Sequence, residues 1–227
     1  MIRARNARVA GFTFLFYIAV GIGGMITFNL ATSGSTTADR LTSVAAHPLS
    51  VTVSFICLLL TILCALILAI TLFALTREQD VDLARFAMSC RLLEAAINAF
   101  PAIALLALIS VATGNETASA EASTRNAIAS LLLKVQGWST PTSATMFAIS
   151  SAIYCALFLR GRLAPAWLMR LGLIASILLI VVEPLGAARV VGGLIAAIVW
   201  LPMLAFEAPF GIWLLVTGAE SRAREIS

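Results

Sequence analysis

Arg91, Glu94 and Glu207 carry charge in places where charge is costly. Arg91 and Glu94 lie in an apolar stretch from Leu83 to Ala112, and Glu207 lies in Ala205-Phe206-Glu207-Ala208-Pro209-Phe210, within another from Val190 to Val216. Either stretch, wound as a helix, is long enough to cross a hydrocarbon core of about 30 Å. An ionisable group inside such a span costs roughly 2.5–3.5 kcal/mol on insertion scales, so it must face the protein interior and find a partner. Arg91, Glu94 and Asn98 recur at i, i+3 and i+7, which sets them on one helical face. At about 1.5 Å per residue, Arg91 lies about 8–12 Å from the start of its span and Glu94 lies a turn deeper. Glu207 lies about 13 Å from the end of the other span, a compatible depth if both ends meet the same face. These depths predict that Arg91 pairs with Glu207 as well as with Glu94. Glu183, before Pro184, repeats the acid-proline pattern nearer the opposite face. Two chemistries fit this intramembrane cluster of Arg91, Glu94, Asn98, Glu183 and Glu207. In one, ion pairing fixes which helices pack together. In the other, one of two carboxylates sharing a guanidinium stays free to exchange a proton, as a relay for protons or cations requires. Pro202 and Pro209 flank Glu207 and Pro101 follows Asn98, so backbone carbonyls are freed close to the polar groups and the helices are expected to bend there. The chain shows no recognisable Ser/His motif, His-rich metal set or Gly-rich phosphate loop. No enzyme, cofactor or metal site is therefore expected.

The elements that must hold these residues follow from composition. The chain is 61% hydrophobic and 11% charged, against about 25% charged for an average soluble domain. An all-α, polytopic membrane helix bundle is predicted, as one integral membrane domain with six transmembrane helices near 9–30, 50–75, 83–112, 142–159, 171–185 and 190–216. The fifth is short and is interrupted by Glu183-Pro184 and Gly186-Ala187-Ala188-Arg189, so five spans are the competing reading. Arg3, Arg5 and Arg8 before the first run resemble the start of a secretory signal. The run is too long for one and no small-x-small cleavage site follows it, so a retained span is expected.

Lys and Arg at the span ends set orientation. Arg3, Arg5, Arg8, Arg77, Arg85, Arg160, Arg162, Arg170, Arg222 and Arg224 collect on one side, and Arg40, Arg125, Lys134 and Arg189 on the other. Both termini are therefore predicted to be cytoplasmic. The net charge of +4 follows from this asymmetry and from attraction to anionic headgroups; the lipid bilayer is the expected partner, and nucleic acid is not. Cys57, Cys64, Cys90 and Cys155 fall within spans or at their edges and read as small apolar packing residues. His47, the only histidine, precedes Pro48 at the mouth of the second span and reads as a residue at a helix start.

The loops carry further expectations. In the loop 31–49, Thr36 or Thr37 can cap a short helix through Thr42-Ser43-Val44. Thr76–Asp82 is short enough to make the second and third spans antiparallel neighbours. In the long loop 113–141, Ile128, Leu131, Leu132 and Val135 make an apolar stripe ending at Gly137-Trp138, which predicts a separate helix lying flat on the membrane or over the bundle. Asn115-Glu116-Thr117 matches a glycosylation sequon. Ala19 with Gly23, Gly192 with Ala196 and Gly193 with Ala197 are small residues four apart that permit close helix approach. Tyr17, Trp138, Trp167 and Trp213 are candidate interface anchors.

Four segments together carry a resemblance. Arg5–Gly21, Arg91-Leu92-Leu93-Glu94-Ala95-Ala96, Leu159-Arg160-Gly161-Arg162-Leu163-Ala164-Pro165-Ala166-Trp167-Leu168, and Glu207 through Gly218 with Ile212-Trp213-Leu214-Leu215 resemble, in order, the opening, the third-span charge pattern, the inner Pro-x-Trp-Leu loop and the closing signature of a bacterial six-helix membrane family, domain of unknown function 4386. The resemblance covers about residues 5–220 and implies a fold class and a membrane location, with no activity attached. The expectation is a multi-pass protein of the bacterial inner membrane, structural or accessory in role, with a small transporter or proton-coupled sensor as the alternative.

Overall fold

Apolar runs of this length satisfy every backbone donor and acceptor internally only as helices, and in the computed structural model, which describes residues 2–113 and 122–218, every regular element among those residues is an α-helix. The helices are α1 (Ile2–Ala31), α2 (Thr37–Ala46), α3 (Pro48–Thr76), α4 (Val81–Thr113), α5 (Ala122–Arg160), α6 (Ala166–Ala187), α7 (Gly193–Ile198) and α8 (Trp200–Thr217). Six of them are long and apolar enough to cross a membrane, within Arg3–Ala31, Pro48–Thr76, Val81–Thr113, Ser123–Arg160, Ala166–Ala187 and Trp200–Thr217. The fifth span is thus a full helix of 22 residues, with Pro184 in its last turn. The sequon Asn115-Glu116-Thr117, and Arg222 and Arg224 of the basic set, lie outside the described residues.

Two expectations are corrected. The stripe in the long loop does not form a separate helix, because α5 runs unbroken for 39 residues with Pro141 inside it. Thr140 and Thr145 hydroxyls donate to the Gln136 and Pro141 carbonyls across this stretch. The buried line there is Ala129 with Leu132 and Leu133 packed beside it, while Ile128 and Leu131 are exposed. The sixth stretch, expected to be continuous, divides at Val199 into α7 and α8. The division places Pro202 in the first turn of α8, where its missing N–H leaves no intrahelical bond unmade.

The chain forms two compact units. The first comprises residues 1–18, 63–95 and 141–227, the second 19–62 and 96–140. The core of the first is built from helical ridges: Ala7, Ala10 and Phe14 of α1; Leu68, Leu72 and Leu75 of α3; Ala84 and Ala87 of α4; Phe147, Tyr154 and Phe158 of α5; Leu168, Ala175 and Leu179 of α6; Met203, Phe206, Phe210 and Leu214 of α8. Glycines set the closest approaches. A Cβ at Gly11 would stand 2.5 Å from the Gly211 carbonyl oxygen, and one at Gly172 would stand 2.6 Å from the Phe206 ring. Gly23 and Gly192, expected to pack, have open space where a Cβ would be. Outward faces remain apolar, with Phe12, Ile70, Phe86, Ile174, Leu201 and Ile212 all exposed, as lipid contact requires.

The second unit has its own core of Ala31, Leu41, Val44, Val51, Leu105, Leu108 and Ala129. Thr36 caps α2 in a reciprocal box: its hydroxyl accepts from the Asp39 amide at 3.1 Å, and the Asp39 carboxylate accepts from the Thr36 amide at 3.0 Å. His47 ends α2 and begins the next turn, its Nδ1 lying 2.9 Å from the Ser43 carbonyl while its own carbonyl accepts from Ser50 and Val51.

Candidate functional site

Arg91 lies on the core face of α4, one turn beyond Ala87 and one turn before Glu94 and Ala95, all of them buried. Its Nη1 donates to Glu94 Oε2 at 2.9 Å, and both side chains are 1% exposed. An arginine ahead of its acid is the weaker order for a helical pair, so the surroundings must hold it. Tyr17 of α1 donates its phenol to Glu94 Oε1 at 3.0 Å, which gives each carboxylate oxygen a donor. The Phe147 ring of α5 lies with its centroid 4.6 Å from the guanidinium carbon, and Tyr17 lies at 5.9 Å. A desolvated cation over an aromatic face gains about 2 kcal/mol. Two further hydroxyls join the frame: Ser150 donates to the Ala87 carbonyl at 2.8 Å and Tyr154 to the Ala69 carbonyl at 3.4 Å. Side chains of α1, α4 and α5 therefore converge on one ion pair.

Arg91 keeps one unmet need, for its buried Nε has no acceptor. Beside it lies a cavity of about 10 Å³ lined by Arg91, Ser151, Tyr154 and Cys155 among apolar and aromatic neighbours. That is the lower limit for one water molecule.

Glu207 does not join the pair. It lies on the buried ridge of α8 between Phe206 and Phe210, yet among the described residues no ion pair within 4.0 Å involves it, and its Oε1 is buried without a hydrogen-bond partner. The expected Arg91–Glu207 bridge is thus replaced by a bridge to Glu94 alone. Matching depth on two helices leaves the rotation of each about its axis undetermined.

Glu183 lies on the buried ridge of α6 and reaches the cluster through rings. Trp200 Nε1 donates to Glu183 Oε1 at 2.7 Å, and the Trp200 ring stacks on Phe147 with centroids 5.9 Å apart. Phe147 is the same ring that covers Arg91. Asn98 is half-buried, lies in the second unit and is not among the partners of Arg91 or Glu94. Sequence reasoning missed Tyr17, Phe147, Ser150 and Trp200. Only Tyr17 carried a usable signal: a phenol about 12 Å inside the first span, at the depth of Arg91. It serves Glu94 rather than the interface role expected of it.

All four cysteines are free, with Cys64, Cys90 and Cys155 buried. Among the described residues, no group of three or more His, Cys, Asp or Glu side chains could hold a metal ion.

Six helices long and apolar enough to cross a membrane make this a multi-pass helical membrane protein. Residues 9–218 match the family described as domain of unknown function DUF4386, and the chain belongs to that family. No curated protein and no solved structure matches it.

Proposed function

We propose that the protein is a non-enzymatic, multi-pass component of the bacterial cytoplasmic membrane, both termini cytoplasmic, in which Arg91, Glu94 and Tyr17 lock helices together. The observation that carries this reading is closure of the pair. Both carboxylate oxygens of Glu94 have protein donors and the guanidinium is covered by rings. The adjoining space takes one water at most, which suits a structural bond better than a substrate site. The resemblance to a bacterial six-helix family, together with six helical spans, supports the placement, since bacterial outer-membrane spans are strands of closed barrels.

A lock of this kind has a thermodynamic signature. Removing one member of a buried pair strands the other, at a cost of about 3–5 kcal/mol, whereas replacing both with neutral groups of similar shape comes close to neutral. In detergent, Arg91→Ala should therefore lower the melting temperature by more than Arg91→Met/Glu94→Gln does, once equal membrane yields are established. A double variant as damaged as the sum of its single variants would sink the lock.

A second reading, a proton-coupled transporter or sensor, rests on Glu207, whose buried Oε1 has no partner. It requires proton movement in proteoliposomes under an imposed pH gradient, lost in Glu207→Gln and retained in Arg91→Met/Glu94→Gln.

A further inference from the structure

Two non-glycine residues among those described stand on left-handed backbone, Arg162 at φ 50° and Arg189 at φ 58°. Both occupy the same place in the same device. At the end of α5 the Leu163 amide donates to the Phe158 carbonyl at 2.9 Å and the Arg162 amide to Leu159 at 3.1 Å. At the end of α6 the Val190 amide donates to Leu185 at 2.9 Å and the Arg189 amide to Gly186 at 3.0 Å. This six-to-one and five-to-two pairing is a Schellman ending, whose left-handed residue is ordinarily glycine because a Cβ there crowds the next carbonyl. The chain does end α8 on a left-handed glycine, Gly218 at φ 62°. Arginine at the other two positions works against the backbone, and strain kept in this way points to a use for the side chain.

The surroundings indicate the use. Both side chains are exposed, and neither belongs to an ion pair among the described residues. They bracket α6, whose 22 residues span about 33 Å, close to the thickness of a hydrocarbon core. The two guanidinium groups therefore fall at headgroup level on opposite faces. Trp167, at 64% exposure, and Arg170, also exposed, follow Arg162 within the first two turns of α6, a pairing suited to the interface. A guanidinium offers a planar fork of donors that fits two oxygens of a phosphate.

We propose that Arg162 and Arg189 are phosphate-binding sites for membrane phospholipid, one on each face, which pin α6 at its depth. Anionic glycerophospholipid is the preferred occupant because its headgroup adds no competing cation. A cationic side chain at a helix end also complements the helix dipole, but that benefit is present without lipid, which makes the two roles separable.

The test uses the full chain in a neutral maltoside detergent, titrated with phosphatidylglycerol and followed by melting temperature. Without lipid, Arg162→Gly and Arg189→Gly should melt at or above the parent, because the left-handed strain is relieved. The lipid concentration giving half of the stabilisation should rise about fivefold in each variant, the worth of one surface arginine near anionic lipid. Arg162→Asn and Arg189→Asn, which also tolerate left-handed backbone, repeat the comparison if the glycine variants express poorly. Equal stabilisation of parent and variants by the lipid overturns the proposal. So does equal stabilisation of the parent by inorganic phosphate alone, which would assign the sites to the free anion.

Discussion

At the scale of single residues, Glu94 and Glu207, two of the three buried acids of the first unit, differ in what surrounds them. Glu94 has a donor for each oxygen and Glu207 has none for Oε1, so they should respond oppositely to loss of charge. Glu94→Gln leaves Arg91 uncompensated and should destabilise strongly, whereas Glu207→Gln should leave the melting temperature in detergent unchanged or raised. Matched losses in the two variants would refute the assignment of Glu94 as the sole ion-pair partner. Tyr17→Phe removes one donor from a buried carboxylate and should cost about 1–3 kcal/mol, measurable as a lower melting temperature. How far the site could be read in advance follows from geometry. Arg91 and Glu94 share a helix, and a spacing of three residues fixes their relation through helical period alone. Glu207 shares only a depth with Arg91, and Phe147 and Trp200 are apolar residues in apolar runs; their roles arise from packing between helices, which composition does not record.

At the scale of helices, glycine was a poor guide until neighbours were known. Gly23 and Gly11 each follow a small residue by four positions, Ala19 and Ala7, yet Gly23 meets nothing, while Gly11 lies against the backbone of Gly211 and Leu215. Gly11→Ala should therefore force α1 away from α8 and cost about 1–3 kcal/mol, and Gly23→Ala should stabilise its helix by up to about 1 kcal/mol. Thermal melts of the two variants side by side decide it; equal effects would place both glycines in open space. The short helix α2 offers a pH-dependent test. Hydrogen bonds from the Thr36 side chain and backbone, then from Ser35, hold the Asp39 carboxyl below the usual carboxylate range. A depressed folded-state value means that the contribution is complete above the unfolded-state value, about 3.9, and is lost as pH falls through the lower folded-state value. Proteolysis of the loop around α2 by an acid-active protease should thus accelerate below about pH 4 in the parent and much less in Asp39→Asn. The cap itself was legible, because a threonine with an acid three residues later is a local pattern. The continuity of α5 was not, because Gly137 and Pro141 carry stop signals that packing overrides.

At the scale of the whole chain, five of the spans followed from hydropathy, since each reaches the length of a membrane helix; the fifth, read as 171–185, fell short of it and reaches it only because the helix runs from Ala166 to Ala187. Orientation remains a matter of charge asymmetry, and labelling tests it. In a background lacking the four cysteines, Ala38→Cys should react with an impermeant maleimide in intact cells and Arg77→Cys only after permeabilisation. Reaction of both from outside would overturn the placement of the termini. The unequal lengths of the spans have a further consequence. α5, with 39 residues, is about 58 Å long, whereas α8, with 18, is about 27 Å. When the bilayer thickens or thins, α5 has length to spare and can let its ends pass through the headgroup zone. α8 has none, and each ångström of mismatch there costs a fraction of a kcal/mol. Sensitivity to lipid chain length should therefore reside in the shortest of the six membrane-length helices, which is also the one that carries Glu207.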